Sequence, residues 1–220
     1  MSSGATVERD VEANMVSLPH AWPRPGANLI LENDRGAAWD IKFTQGLYSN
    51  FHKHLYHYAG VDLASAAYEI INPDGGSEIK VSFPGRMWML PKGLTHMEKG
   101  ISTIGRHIVI VDIKDASPVG DGRGVFETNK ISNVDYKLVG EDVFYKQYDV
   151  TINPSSDVNS PHWPNDTFVV AVTPGRIVLD HGQDNVLDVD VGDVLFLERG
   201  KSISLRSANG AVRLMLLELL

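Results

Sequence analysis

The sequence predicts an all-β protein made of two tandem barrels. Three observations support this fold class. Short segments alternate apolar and polar residues, turns rich in glycine and proline separate them, and the second half of the chain repeats the first. No stretch keeps a convincing helical period over about three turns. Many short strands between such turns are typical of a sandwich or barrel.

The strands are expected to begin near residue 28, after an arm whose prolines exclude helix and central strand. Residues 38–43 alternate apolar and polar side chains, as a half-buried strand does, and the turn signal of 72–76 follows a strand at 66–71. Further strands are predicted at 78–83, 87–90 and 108–113. The predicted domains are an N-terminal arm (1–27), a first barrel (28–115), a linker (116–125) and a second barrel (126–220).

Composition limits the classes of partner. The 220-residue chain is 43% hydrophobic, carries a net charge of −8 and contains no cysteine. No block of like charge occurs, so neither nucleic acid nor an anionic membrane is an expected partner. We expect no secretory signal and no membrane span, and a cytoplasmic location.

A His-x-His pair stands in the segment 51–58. Successive side chains of a strand point to opposite faces, so His52 and His54 share one face, which suits a common metal ion. The alternative is a solvated polar strand face. His57 points to the other face unless a bulge redirects it, and Tyr56 and Tyr58 are candidates to line a cavity.

A second motif, Gly-x5-Pro-x-Gly-x2-His, spans residues 85–96 and ends at His96. Together with His-x-His it resembles the two motifs of the cupin family. The resemblance implies that His52, His54 and His96 bind one metal inside a small jelly-roll barrel. The family's first motif usually continues to a glutamate, but Tyr58 and Ala59 stand there, so His57 or Tyr58 is a candidate to complete the ligand set.

The second half resembles a cupin domain that has lost its ligands, which would make the chain a bicupin with a structural second domain. A shift of 110 places His162 at the position of His52 and Pro164 at that of His54. A shift of 107 places Ile203 at the position of His96. Residues 31–35 and 106–110 also resemble small bacterial cupins associated with β-alanine degradation.

The three-histidine set implies a divalent metal, with Fe²⁺ favoured and Zn²⁺, Ni²⁺ or Mn²⁺ as alternatives. We expect a dioxygenase-type reaction on a small, anionic, oxygenated metabolite. The alternatives are a Zn-type lyase or isomerase and a non-catalytic ligand-binding or sensory protein. A homodimer is a further expectation. The candidate substrate-binding residues are Tyr56, Arg86, Trp88, Lys92 and His107. Because an unperturbed imidazole titrates at about 6.5, metal affinity is expected to fall through that pH.

Overall fold

The computed structural model describes residues 18–114, 122–129, 131, 133–154, 162–180, 184–202 and 204–220. The predicted linker and N-terminal arm, as well as Ile203, lie partly or wholly outside these residues. The first half contains β1 (Ala27–Glu32), β2 (Gly36–Phe43), β3 (His52–Lys53), β4 (His57–Asp62), β5 (Ala66–Ile71), β6 (Ser77–Ser82), β7 (Met87–Leu90), β8 (Thr95–Gly100) and β9 (Arg106–Ile113). The second half contains α1 (Val125–Thr128), β10 (Val134–Asp142), β11 (Tyr145–Ile152), β12 (Asp166–Ala171), β13 (Gly175–Asp180), β14 (Asp184–Val189), β15 (Val194–Leu197), β16 (Ser204–Asn209) and β17 (Val212–Leu219).

The sheet order confirms the internal repeat. A five-stranded sheet β1-β2-β9-β4-β7 in the first half has a counterpart β10-β11-β17-β12-β15 in the second. The smaller sheets are β3-β8-β5-β6 and β16-β13-β14. Apart from the short β3, they also correspond strand for strand. Each half therefore has the large and the small sheet of a jelly-roll barrel. Across the described residues, no helix is long and apolar enough to cross a membrane.

The central strand β9 is buried on both faces. Ile108 and Ile110 belong to the core inside the first barrel. Val109 and Val111 alternate with them and belong to a second cluster, which also contains Leu217 of β17. The two large sheets therefore pack against each other through their outer faces. This arrangement explains the continuous apolar run of 108–111, because a strand covered on both faces needs no polar alternation.

Replacing Leu217 by alanine is expected to lower the free energy of unfolding by about 2–5 kcal/mol, the usual cost of a cavity in a packed core. Leu217 is fully buried in the cluster that both halves share. Urea denaturation measures the change. Val143→Ala is the control, because Val143 is 69% exposed and its replacement should cost less than about 0.5 kcal/mol. Equal losses for the two variants would contradict the packing of the two sheets.

Candidate metal centre

The short strand β3 brings the two histidine motifs together. His52 lies directly opposite His96 of β8 in an antiparallel pair. One residue beyond the strand, the His54 N–H donates to the carbonyl of Leu94 at 2.9 Å, and the Gly93 N–H donates to the carbonyl of His54 at 2.8 Å. Gly93 has φ +90°, a conformation that favours glycine, so the Pro-x-Gly turn fixes the distance between the motifs.

The three imidazoles form one buried cluster. One ring nitrogen of each lies within 4.8 Å of those of the other two. The ring centroids are 4.7 Å apart for His52 and His96, 5.1 Å for His54 and His96, and 5.2 Å for His52 and His54. The group could therefore bind a metal ion.

Burial keeps the three imidazoles neutral. It lowers the pKa of His52 to about 4 and that of His54 to about 2, and it also lowers the pKa of His96. The Nδ1 of His52 lies 2.9 Å from the carbonyl oxygen of Asn50, to which it can only donate, so Nε2 carries the lone pair. Buried neutral imidazoles are the donor type that divalent transition metals prefer, and the residues present therefore fit such an ion.

The N-terminal arm contributes a cation that the sequence did not indicate. The Ala21 N–H donates to the carbonyl of Lys53 at 3.2 Å, so the arm runs along β3. Arg24 then reaches into the barrel, with Nη1 at 3.3 Å from His52 Nε2 and Nη2 at 2.7 Å from Glu98 Oε2. The guanidinium also lies over the ring of Trp22, 4.6 Å from its centroid. Because 28 residues separate Arg24 from His52, no local pattern signals this contact.

Glu98 is the buried carboxylate beside the cluster. It follows His96 by two residues on β8, so both side chains point into the barrel. Burial would raise the pKa of Glu98, but Arg106 and Arg24, each 2.7 Å away, outweigh this effect and hold the pKa well below its usual value. Glu98 stays ionised and bound to two arginines. The alternation His96-x-Glu98 was a signal that could have identified it.

The cluster lies at one side of a cleft with about 550 Å³ of empty space, part of it open to solvent. Tyr58 stacks on His54 with ring centroids 4.0 Å apart, and Trp88 packs edge-on against Tyr58. Trp88 also covers Gly60, where a Cβ would lie 2.4 Å from the indole. Four cationic side chains and one carboxylate line the cleft: Arg24, Lys80, Arg86, Arg106 and Glu98.

Four other predicted site residues lie elsewhere. The ring of His57 packs against Phe144 of the second half, 5.3 Å between centroids, on the face of β4 opposite to Tyr58. His107 Nε2 lies 2.7 Å from Asp40 Oδ1. Neither ring lines the cleft, because each belongs to the outer face of the large sheet. Tyr56 lines a neighbouring cavity, and Lys92 is exposed on the turn.

The backbone alignment of the second half with the first half differs from the predicted register by one residue. The Trp163 N–H donates to the carbonyl of Lys201, and the Gly200 N–H donates to the carbonyl of Trp163, both at 2.9 Å. These are the hydrogen bonds that His54 makes, so Trp163, and not Pro164, takes the place of His54. Likewise, His162 takes the place of Lys53 rather than that of His52. The prediction was wrong because it aligned side-chain types, whereas backbone pairing sets the register.

Apolar side chains fill the interior of the second half. Trp163 is 2% exposed and belongs to its core. The small cavity found there is lined by Phe126, Ile131, Val134, Val150, Ile152, Trp163 and Leu216. Among the residues that the structure describes, the three-histidine group belongs to the first half alone.

No protein-family profile matches the sequence, and no curated protein matches it. Several solved structures are similar to this chain. A cupin 2 conserved barrel domain protein from Leptotrichia buccalis is 9% identical, with 95% of this chain and 94% of that chain covered and a TM-score of 0.58. A mutant salicylate 1,2-dioxygenase from Pseudoaminobacter salicylatoxidans is 10% identical, with 99% and 82% covered and a TM-score of 0.62. An oxalate decarboxylase from Bacillus subtilis is 12% identical, with 99% and 84% covered and a TM-score of 0.57.

At such identities the likeness shows the fold alone. The resemblance to cupins associated with β-alanine degradation finds no counterpart among these structures and stays a prediction. Over nearly the whole chain, the likeness shows that this protein has the all-β fold of these cupin structures, built as two tandem jelly-roll barrels.

Proposed function

We propose that the protein is a metal-dependent enzyme that acts on a small, anionic, oxygenated metabolite, with a dioxygenase-type reaction favoured. One observation carries the proposal. Three buried, neutral imidazoles form one cluster, and two of them, His54 and His96, line a cleft whose charged lining is mostly cationic. A structural histidine cluster would not require a cleft, and an ordinary surface cleft would not require three unprotonated imidazoles.

His52, His54 and His96 would hold the metal, and Fe²⁺ is the favoured ion. When bound, a divalent metal would supply Lewis acidity and, as iron, redox chemistry. Three neutral ligands leave the charge of such an ion uncompensated, which favours an anionic ligand in the cleft. Glu98 does not compensate the charge of such an ion, because Arg24 and Arg106 already neutralise the Glu98 carboxylate.

The cationic side chains of the cleft would bind the anionic group of the substrate. Arg86 is exposed and lines the cleft, with Nη1 donating to the carbonyl of Val81 at 2.7 Å. Lys80 lies on the neighbouring strand β6, and its side chain is 36% exposed. Arg24 lies deeper, beside His52. A carboxylate bound between Arg86 and Lys80 would therefore leave the rest of a small molecule directed toward the histidines.

Aromatic side chains would keep water from the reacting groups. Tyr58 is 1% exposed and covers one face of His54, and Trp88 covers the backbone at Gly60. Electrostatic interactions strengthen where water is excluded. The names of two matched structures, a salicylate 1,2-dioxygenase and an oxalate decarboxylase, describe enzymes that act on carboxylates, which supports the proposed class of substrate.

The proposal is tested by loading the chelator-treated protein separately with Fe²⁺, Zn²⁺, Mn²⁺ and Ni²⁺. Each form is then offered a panel of small keto acids, diketones and hydroxy acids, while dioxygen uptake and product mass are followed. Dioxygen uptake by the iron form alone supports the oxygenase. Turnover by the zinc form without uptake would favour a lyase or isomerase. No turnover by any form would overturn the enzymatic proposal.

Once a substrate is found, Arg86→Ala is expected to raise KM by about tenfold, because a charge-assisted hydrogen bond to the substrate is lost. The kcat should change less, since Arg86 lies at the outer part of the cleft. Arg176→Ala is the matched control, because Arg176 is also exposed and bonds to Asp188 outside the cleft. A KM that is the same for the Arg86 and Arg176 variants would contradict an anion site in the cleft.

A second candidate is an anion-binding protein that works without metal. One contact favours it: Arg24 Nη1 lies 3.3–3.4 Å from both ring nitrogens of His52, where a guanidinium repels a metal ion. Calorimetry with a keto acid on metal-free protein separates the two candidates. Binding of equal affinity with and without metal, together with no turnover, would favour this second function.

A further inference from the structure

A second cavity lies on the other side of His54 and Trp22, with about 460 Å³ of empty space that is partly open to solvent. Asp112 of β9 is its most buried acidic group, at 6% exposed. The indole nitrogen of Trp39 donates to Asp112 Oδ2 at 3.2 Å, and Trp39 stacks on Trp22 with ring centroids 5.6 Å apart. Lys114, two residues after Asp112, also lines this cavity and pairs there with Glu32 at 3.1 Å. Asp112 therefore lies beside the stacked indoles, without a salt bridge among the described residues.

The second half shows what occupies the same place there. Glu218 of β17 corresponds to Asp112, because both immediately precede the last residue of equivalent strands. Its cross-strand partner is Lys146, whereas the cross-strand partner of Asp112 is Ala37. Cross-strand partners project from the same face of a sheet. The first half thus lacks the cross-strand lysine that the second half has beside its carboxyl group, where Lys146 itself pairs with Glu127.

The chain also covers Glu218 with a backbone donor. The Val125 N–H at the start of α1 donates to Glu218 Oε1 at 2.8 Å. A Cβ added to Gly124 would lie 2.6 Å from Glu218 Oε2, so this segment fills the space. In the first half, Ala37 and Asp112 both line an open cavity. The cavity therefore lies beside the carboxyl group whose counterpart in the second half is covered by Gly124 and Val125.

We propose that this second cavity binds a small molecule bearing an ammonium group, with Asp112 as its counter-ion and Trp22 and Trp39 as aromatic walls. An ammonium group would donate to the carboxylate and contact the ring faces favourably. The site is separate from the cationic cleft, whose charge suits anions, and the proposal does not depend on the metal or on catalysis.

Burial raises the pKa of Asp112 to about 7. The test therefore uses the full-length, chelator-treated protein at pH 8, above this value, where most of the carboxyl group is ionised. The probe is n-propylammonium chloride, and calorimetry and tryptophan fluorescence report its binding. We expect saturable binding of n-propylammonium and none of propionate at this site. Asp112→Asn keeps the shape and an acceptor for Trp39 but removes the charge, and should weaken binding by about tenfold or more.

Two further variants keep the test decisive if Asp112→Asn folds poorly. Ala37→Lys reproduces the lysine of the second half and should abolish probe binding by filling the cavity. Glu218→Gln is the matched control, because the equivalent carboxyl is already covered, and it should leave binding unchanged. Absence of n-propylammonium binding to the unmodified protein would overturn the proposal, and so would unchanged binding by both the Asp112 and Ala37 variants.

Discussion

Replacing both His52 and His96 by alanine is expected to abolish metal binding. The unmodified protein, purified without a histidine tag and loaded with Fe²⁺ or Zn²⁺, should retain about one ion per chain. The double variant keeps only His54, and a single imidazole holds a divalent ion weakly. Elemental analysis after gel filtration measures the ratio of metal to protein.

Two controls separate ligand loss from general damage. His20→Ala and His162→Ala remove exposed histidines outside the cluster and should leave the metal content unchanged. Far-UV circular dichroism should show the same β signal for all variants, because none of the removed rings belongs to the shared core. An unchanged metal content in the double variant would show that the three-histidine assignment is wrong.

Metal affinity is expected to stay nearly constant as the pH falls from about 7.5 to 5.5 and to decrease at lower pH. The sequence alone predicted a decrease near the ordinary imidazole pKa of about 6.5. Burial lowers the pKa of His52 to about 4 and also lowers those of His54 and His96. Protons compete with the metal only below these lowered values, where affinity should fall about tenfold per pH unit for each protonated ligand.

Competition calorimetry with a chelator of known pH dependence measures this profile. Arg24→Ala provides a comparison, because Arg24 lies beside His52 and its charge also lowers that pKa. Its removal should move the decrease toward higher pH. A decrease centred at about 6.5 in the unmodified protein would show that the imidazoles behave as solvated groups and would contradict the buried cluster.

The prediction of the fold succeeded where it depended on local periodicity. Alternating side chains and Gly/Pro turns indicate strands because a strand buries one face and a turn needs particular backbone angles. The repeat of these signals indicated two barrels. The residue-by-residue alignment of the two halves did not follow from these signals. Trp163 takes the place of His54 because its backbone hydrogen bonds with Lys201 and Gly200 set the register.

The sequence by itself determined the all-β class, the internal repeat and the choice of the three clustered histidines, since each follows from residue spacing along the chain. Only the tertiary structure decided what surrounds the histidines. Arg24 reaches them from the arm, and Glu98 is held by two arginines from distant segments. His57 instead faces the second half, because the outer face of β4 is buried between the two large sheets. Contacts between distant segments depend on how sheets pack, and no local pattern along the chain records that packing.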